Sequence, residues 1–86
     1  MPEISRFYGI VIQMYFGDHL PPHFHARYAG HSAKIDIDAL ALIDGKLPAR
    51  ALGLVTEWAA IHQDELRVAF QKAANLEPPG KVAPLS

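Results

Sequence analysis

Histidine is the residue type that stands out in this sequence, because five histidines occur among 86 residues. Three of them lie close together, at His19, His23 and His25, and Arg27 lies two residues after His25. Imidazole titrates near neutral pH and is both a general acid or base and a common metal ligand. The segment from His19 to His31 is therefore the first place to look for chemistry.

A predicted strand from His23 to Tyr28 places the polar side chains of this segment on one face. Side chains alternate along a strand, so one face carries His23, His25 and Arg27 and the other carries Phe24, Ala26 and Tyr28. A turn is predicted within Ala29–Ser32, followed by a strand from Ala33 to Asp38. Antiparallel pairing across this turn predicts His25 opposite Asp36 and His23 opposite Asp38.

Acid–base cleavage of RNA without a metal is one chemistry that suits this face. It needs a base for the 2′-hydroxyl, an acid for the leaving oxygen and a cation for the phosphate. The candidate catalytic residues are His23, His25, Arg27 and Asp36. Weaker candidates for substrate binding, on the same face, are Lys34, Tyr15 and Gln13.

Two other interpretations of this face stay open. A His-x-His pair on a strand presents two imidazoles on one side, and His19 or His31 offers a third ligand for zinc or another divalent metal. The acid–base interpretation, by contrast, requires no cofactor. The face is also explained by solvated sheet residues with weak surface pairings and no function.

Composition narrows the function classes. The formal net charge is −1, which argues against a protein that coats nucleic acid through a strongly basic surface. The sequence contains no cysteine, so it offers neither a disulfide nor a thiolate ligand, and a reducing cytoplasm suits it. No apolar run is long enough to span a bilayer and no signal peptide precedes Arg6, so we expect a cytoplasmic protein without a membrane partner.

The first half of the chain is predicted to form strands. Apolar residues at alternate positions predict a strand from Arg6 to Phe16, and Leu40–Ile43 is a candidate fourth strand. Gly17–Pro22 is predicted to be a connection, and Gly9 to mark a bulge.

The second half of the chain is predicted to be helical. The apolar spacing predicts helix from Pro48 to Asn75. One helix of that length would be about 42 Å long, so we expect a break near His62 to Asp64, with a single protruding helix used for homo-oligomerisation as the alternative. The predicted core between sheet and helix contains Ile10, Ile12, Phe24, Ile35, Ile37, Leu54, Val55 and Trp58.

These elements predict one α+β domain over residues 1–86: an antiparallel sheet of three to four strands, followed by one or two C-terminal helices packed on one face. The sheet is expected over about residues 5–43 and the helical part over 48–75. The tail, 77–86, is expected to be either disordered or docked as an extended segment.

Several stretches of the chain resemble one bacterial family, catalogued as domain of unknown function 4160. They are Met1–Ile10, Met14–Phe16, Pro21–Tyr28, Gly45–Pro48, Glu57–Trp58, His62–Leu66 and Pro84–Leu85. The resemblance implies a gene-pair role, because members are often encoded beside a second small protein in an arrangement similar to a toxin–antitoxin pair.

The resemblance implies that the chain is the toxin-like component of such a gene pair. It also implies an antitoxin-like protein partner and RNA as the expected target. The alternatives from other classes are a non-catalytic binding or regulatory module acting through its partner, and a histidine-based metal protein. The resemblance assigns no catalytic residue.

Overall fold

The computed structural model describes residues 2–86 and contains five strands followed by two helices. The elements are β1 (Glu3–Phe7), β2 (Ile10–Gln13), β3 (His23–Tyr28), β4 (His31–Asp36), β5 (Leu42–Gly45), α1 (Ala49–Ile61) and α2 (Gln63–Ala74). The strands form one antiparallel sheet in which each strand pairs with the next along the chain. The predicted α+β class is confirmed, with five strands instead of three or four.

The predicted strand from Arg6 to Phe16 is wrong, because a tight turn divides it into β1 and β2. Phe7 lies opposite Ile10, and the two turn residues, Tyr8 and Gly9, have φ values of 49° and 79°. Two consecutive positive φ values are typical of the two-residue turns that match the twist of a hairpin. Gly9 therefore belongs to the turn and does not mark a bulge.

The second hairpin contains a turn of the same kind, and it changes the predicted register. Ala29 and Gly30 have φ values of 47° and 83°, so Tyr28 pairs with His31 and β4 begins two residues earlier than predicted. A displacement of two residues leaves every side chain on its predicted face. His25 and Arg27 therefore keep their predicted outer face, while His23, at the start of β3, is buried against Phe70 of α2, and the predicted cross-strand partners are wrong.

The predicted break between two helices is confirmed. α1 ends at Ile61 and α2 begins at Gln63, so His62 alone joins them, and the single protruding helix does not form. The His62 backbone N–H still donates to Trp58, and its carbonyl accepts from Leu66, so these backbone groups stay paired at the junction of the two helices. The described residues extend 32 × 25 × 22 Å.

Trp58 lies at the centre of the core between the inner face of the sheet and the helices. Its ring is fully buried, with its centroid 5.3 Å from that of Phe7 and 5.6 Å from that of Phe24. Of the eight predicted core residues, Leu54 is partly buried and the other seven are fully buried. The helices therefore cover one face of the sheet, as predicted.

The C-terminal tail is docked as an extended segment. Trp58 donates from Nε1 to the Ala83 carbonyl over 2.8 Å, and the Val82 backbone N–H donates to the Ile4 carbonyl. Val82 is buried in the core beside these contacts. The tail therefore pairs with the edge strand β1 and covers backbone groups that would otherwise stay open.

We predict that Trp58→Ala lowers the free energy of unfolding by about 3–5 kcal/mol, because it leaves a large cavity and removes the hydrogen bond to the tail. Urea unfolding monitored by circular dichroism measures the change. Ile61→Ala, on an exposed position of the same helix, serves as the control and should change stability by less than about 0.5 kcal/mol. Equal stability of the two variants would contradict this packing.

Candidate functional site

A loop and the start of β3 bring one carboxylate and two imidazoles together at the end of the sheet. Asp18 Oδ2 lies 2.8 Å from His23 Nε2 and 3.3 Å from His25 Nε2. The three ligand atoms lie within 4.8 Å of one another, and no other group of three such side chains in residues 2–86 converges in this way. We call these three residues the Asp18 cluster.

Backbone contacts fix Asp18 in place. Gly17 has a φ of 71°, a conformation that glycine adopts without strain, and its N–H donates to the Ala73 carbonyl at the end of α2. The His19 N–H donates to Asp18 Oδ1 over 3.0 Å. One carboxylate oxygen is therefore used by the loop itself, which aims the other at the imidazoles.

His23 is held from both sides and is almost inaccessible. Its Nδ1 lies 2.7 Å from the Pro21 carbonyl oxygen, which can only accept, so Nδ1 must carry a hydrogen. The side chain is 3% exposed, and the Phe70 ring of α2 lies 5.5 Å away between centroids. His23 therefore positions other groups, and its buried ring is not accessible to a substrate.

His25 is the more accessible imidazole of the Asp18 cluster. Its ring centroid lies 4.0 Å from that of Tyr15, and its side chain is 17% exposed. Burial lowers the pKa of His25 below its ordinary value and outweighs the hydrogen bond to Asp18, which acts in the opposite direction. His25 is therefore favoured in the neutral form, which can take up a proton or bind a metal.

Asp18 stays ionised despite partial burial. Burial alone would raise the pKa of its carboxyl group, but the His19 N–H and the two imidazoles outweigh that effect, so the pKa lies below its ordinary value. The cluster thus contains one fixed negative charge beside two nitrogen bases.

The outer face of the sheet carries mostly polar side chains in two rows that follow the cross-strand pairing. The first row crosses all five strands and contains Glu3, Gln13, His25, Lys34 and Asp44. The second contains Arg6, Val11, Arg27 and Ser32. Together they line an open groove of about 650 Å³ to which neither helix contributes a residue. We call this surface the outer groove.

Two cations in the outer groove lack a carboxylate partner. Arg6 pairs with Glu3 over 2.7 Å, whereas neither Arg27 nor Lys34 comes within 4.0 Å of a carboxylate oxygen in residues 2–86. Lys34 lies directly opposite His25. The groove therefore offers positive charge next to the accessible imidazole.

The predicted His–Asp pairs across β3 and β4 are wrong, because the turn shifts the register by two residues. Lys34 takes the place opposite His25, and Asp36 lies opposite His23. The Asp36 carboxylate accepts from the N–H groups of residues 38 and 39, and Asp38 binds Arg67 over 2.7 Å. Neither carboxylate orients an imidazole.

The other predicted site residues divide into two groups. Gln13 and Tyr15 lie beside His25 as expected, and Gln13 Oε1 is buried without a hydrogen-bond partner among the described residues. His19, the predicted third metal ligand, is exposed and contributes only its backbone N–H, while His31 lies in the distant hairpin.

Asp18 is the residue that the sequence analysis missed, because it lies in a connection and not on a predicted strand. Its signal was its position next to His19, near the start of the Gly17–Pro22 connection that precedes the histidine strand. Side chains alternate between two faces only within strands, so this alternation could not predict the position of a carboxylate in a loop.

The fold and the site define a small α+β protein with a two-histidine, one-carboxylate cluster at the end of an open sheet face. The family described as Domain of unknown function (DUF4160) matches residues 9–71, and the chain belongs to this family. The matched segment includes the whole Asp18 cluster. The chain matches no curated protein and no solved structure.

Of the two helices in residues 2–86, neither combines the length and the apolar composition that crossing a bilayer requires.

We predict that acidification destabilises the protein in two steps. The folded-state pKa of His25 lies below 6.5, so the folded protein binds fewer protons than the unfolded chain once the pH falls below that value, and stability is lost. Asp18 has a folded-state pKa below 3.8, so its contribution is present above that pH and disappears as the pH falls through the folded value.

Urea midpoints measured from neutral to acidic pH test this pH dependence. His25→Gln should flatten the first step, whereas the control His19→Gln, at an exposed neighbour, should leave it unchanged. Stability that rises on mild acidification would contradict the environment described for His25.

Proposed function

We propose that this chain is the toxin-like component of a bacterial two-gene module and that it acts on RNA through the outer groove. The toxin-like role, with an antitoxin-like protein encoded next to it, is what the resemblance of the chain to its family implies. The RNA part of the proposal is supported by the charges and rings of the outer groove, and its site of action is the cytoplasm.

The observation that carries the RNA proposal is the pair of cations, Arg27 and Lys34, which lack carboxylate partners in residues 2–86 and flank His25 on an uncovered face. Phosphate contacts by such side chains supply most of the affinity of proteins for nucleic acid. With a net charge of −1, the chain has no general attraction for polyanions, so this local pair has to hold the phosphates.

The contact between the tilted rings of Tyr15 and His25 supports single-stranded RNA as the target. Unpaired bases stack on exposed aromatic rings, and such platforms are frequent on open antiparallel sheets that bind RNA. The two rings lie 4.0 Å apart between centroids, at the end of the outer groove where the Asp18 cluster begins. A base stacked on Tyr15 would place its backbone near His25.

The buried position of His23 changes the mechanism expected from the sequence. Metal-independent cleavage by two imidazoles requires both rings at the substrate, one as base and one as acid. His23 is 3% exposed and contacts Asp18 and Pro21. His25 is therefore the ring that reaches RNA. His23 holds Asp18 in place and packs against the ring of His25.

We predict that removing both cations lowers the affinity for RNA and makes that affinity less dependent on salt concentration. Arg27→Gln combined with Lys34→Gln should reduce the slope of log affinity against log salt by about 1.4, at about 0.7 for each phosphate contact to a single strand. Fluorescence anisotropy with a labelled single-stranded RNA measures the slope.

The matched control is Arg50→Gln combined with Lys72→Gln, which removes the same charge from exposed helix positions. The two double variants differ only in the face that loses its cations. Equal effects would show that RNA responds to the net charge alone, which would contradict a binding face on the sheet.

We predict that expression of the wild-type chain without its neighbouring gene arrests growth and degrades RNA, and that His25→Ala abolishes both effects. His19→Ala, at an exposed neighbour outside the Asp18 cluster, should retain them. Growth curves and electrophoresis of total RNA from the same cultures measure the outcome. Full toxicity of a folded His25→Ala protein would contradict action at this site.

A non-catalytic binding module is the second candidate, and the free edge of the sheet favours it. All four residues of β5 are exposed, including Leu42 and Ile43, each 43% exposed, whereas the tail covers the opposite edge at β1. An exposed apolar edge strand can pair with a strand of another protein. Growth arrest that survives His25→Ala but not Ile43→Lys would support this candidate.

A further inference from the structure

We infer that Asp18, His23 and His25 bind one divalent transition-metal ion, of the Zn²⁺ type, whose remaining coordination positions face the outer groove. Metal binding itself does not require the RNA proposal. Its consequence, an ion that polarises water or a phosphate oxygen beside bound RNA, rests on that proposal.

The hydrogen-bonding pattern of His23 is the first reason. Because Nδ1 donates to the Pro21 carbonyl, the neutral ring has a lone pair on Nε2, and this lone pair points at Asp18 Oδ2 over 2.8 Å. Two acceptors at that distance need a positive charge between them. Either an extra proton or a metal ion satisfies this requirement.

The convergence of ligand atoms is the second reason. Asp18 Oδ2 faces the Nε2 atoms of both His23 and His25 at 2.8 and 3.3 Å, and all three atoms offer a lone pair when both rings carry their hydrogen on Nδ1. Ligand atoms around tetrahedral zinc lie roughly 3.3 Å apart. The two imidazole nitrogens lie within 4.8 Å of each other, so all three ligand atoms converge on one small region.

The supports behind each ligand are the third reason. Histidine ligands of metals usually donate their other ring N–H to a carbonyl or carboxylate, as His23 does to Pro21. Asp18 is held by the His19 N–H, and the ring of His25 lies against Tyr15. Each ligand is thus fixed by a contact that uses none of its converging atoms.

Three protein ligands leave a position for an exchangeable ligand, as in catalytic zinc sites. His23 is buried, whereas His25 lines the outer groove between its cross-strand neighbours Gln13 and Lys34, so the position left for an exchangeable ligand is reached from the His25 side. Gln13, which pairs with His25 across β2 and β3, has a buried side-chain oxygen without a hydrogen-bond partner in residues 2–86, and we propose that this oxygen accepts from water on the ion.

The test uses the full chain without a histidine tag, stripped with EDTA and titrated with Zn²⁺ by calorimetry in the absence of RNA. We expect one ion per chain. Asp18→Asn and His25→Gln should each weaken binding at least about tenfold, and His19→Ala and His31→Ala should leave it unchanged. Circular dichroism shows whether each variant is folded.

Co²⁺ provides a second readout that does not depend on affinity. Visible absorption of the Co²⁺-loaded wild-type chain should show the intense bands of a four-coordinate site, and both ligand variants should lose them. The apo protein should also gain thermal stability with Zn²⁺, while Asp18→Asn should not.

Absence of stoichiometric binding by the folded wild-type chain overturns the inference. So does binding that persists in Asp18→Asn and His25→Gln, or that disappears in His19→Ala. A chain that binds RNA in EDTA but never binds Zn²⁺ refutes the metal site alone. A chain that binds Zn²⁺ at the Asp18 cluster but no RNA refutes the RNA proposal alone.

Discussion

The alternation of side chains along β3 is the constraint on which the rest of the structure depends. β3 is the middle strand of five, so both of its edges are paired. Phe24 and Ala26 are fully buried on its inner side, where Phe24 packs against Trp58, while His25 and Arg27 face the outer groove. A slip of one residue would bury an arginine and an imidazole and expose the aromatic ring, so the hydrophobic core itself maintains the polar face.

This constraint explains which parts of the fold were predictable. The face on which a strand side chain lies depends on burial alone. The pattern of apolar residues therefore predicted the faces of β3 and the core around Trp58. Register depends on the turn, and Ala29 adopts a positive φ of 47°, which is uncommon for a residue with a side chain. Tyr8 does the same at 49°, so the hairpin of β1 and β2 was hidden inside an apparently continuous strand.

The composition of the Asp18 cluster was only half predictable, for a related reason. His23 and His25 share a strand, so their proximity is a local property of the chain. Asp18 reaches them because Gly17 bonds to Ala73 at the far end of α2, a contact between segments that are distant in sequence. The carboxylates chosen from strand pairing, Asp36 and Asp38, instead bind a turn and a helix side chain. Long-range placement of loops cannot be read from periodicity.

The helices contribute no ligand to the cluster and yet determine its geometry. Phe70 covers the ring of His23, and Ala73 fixes the loop that carries Asp18, so the inner layer of the protein sets positions on its outer edge. The cost of burying a polar ring such as His23 is offset when each of its nitrogens has a partner: Nδ1 donates to the Pro21 carbonyl, and Nε2 faces the Asp18 carboxylate across a proton or a metal ion. Removing either partner would leave a buried nitrogen unpaired. Phe70 and Ala73 are themselves buried in the core, so two residues that pack α2 on the sheet also hold the Asp18 cluster in place.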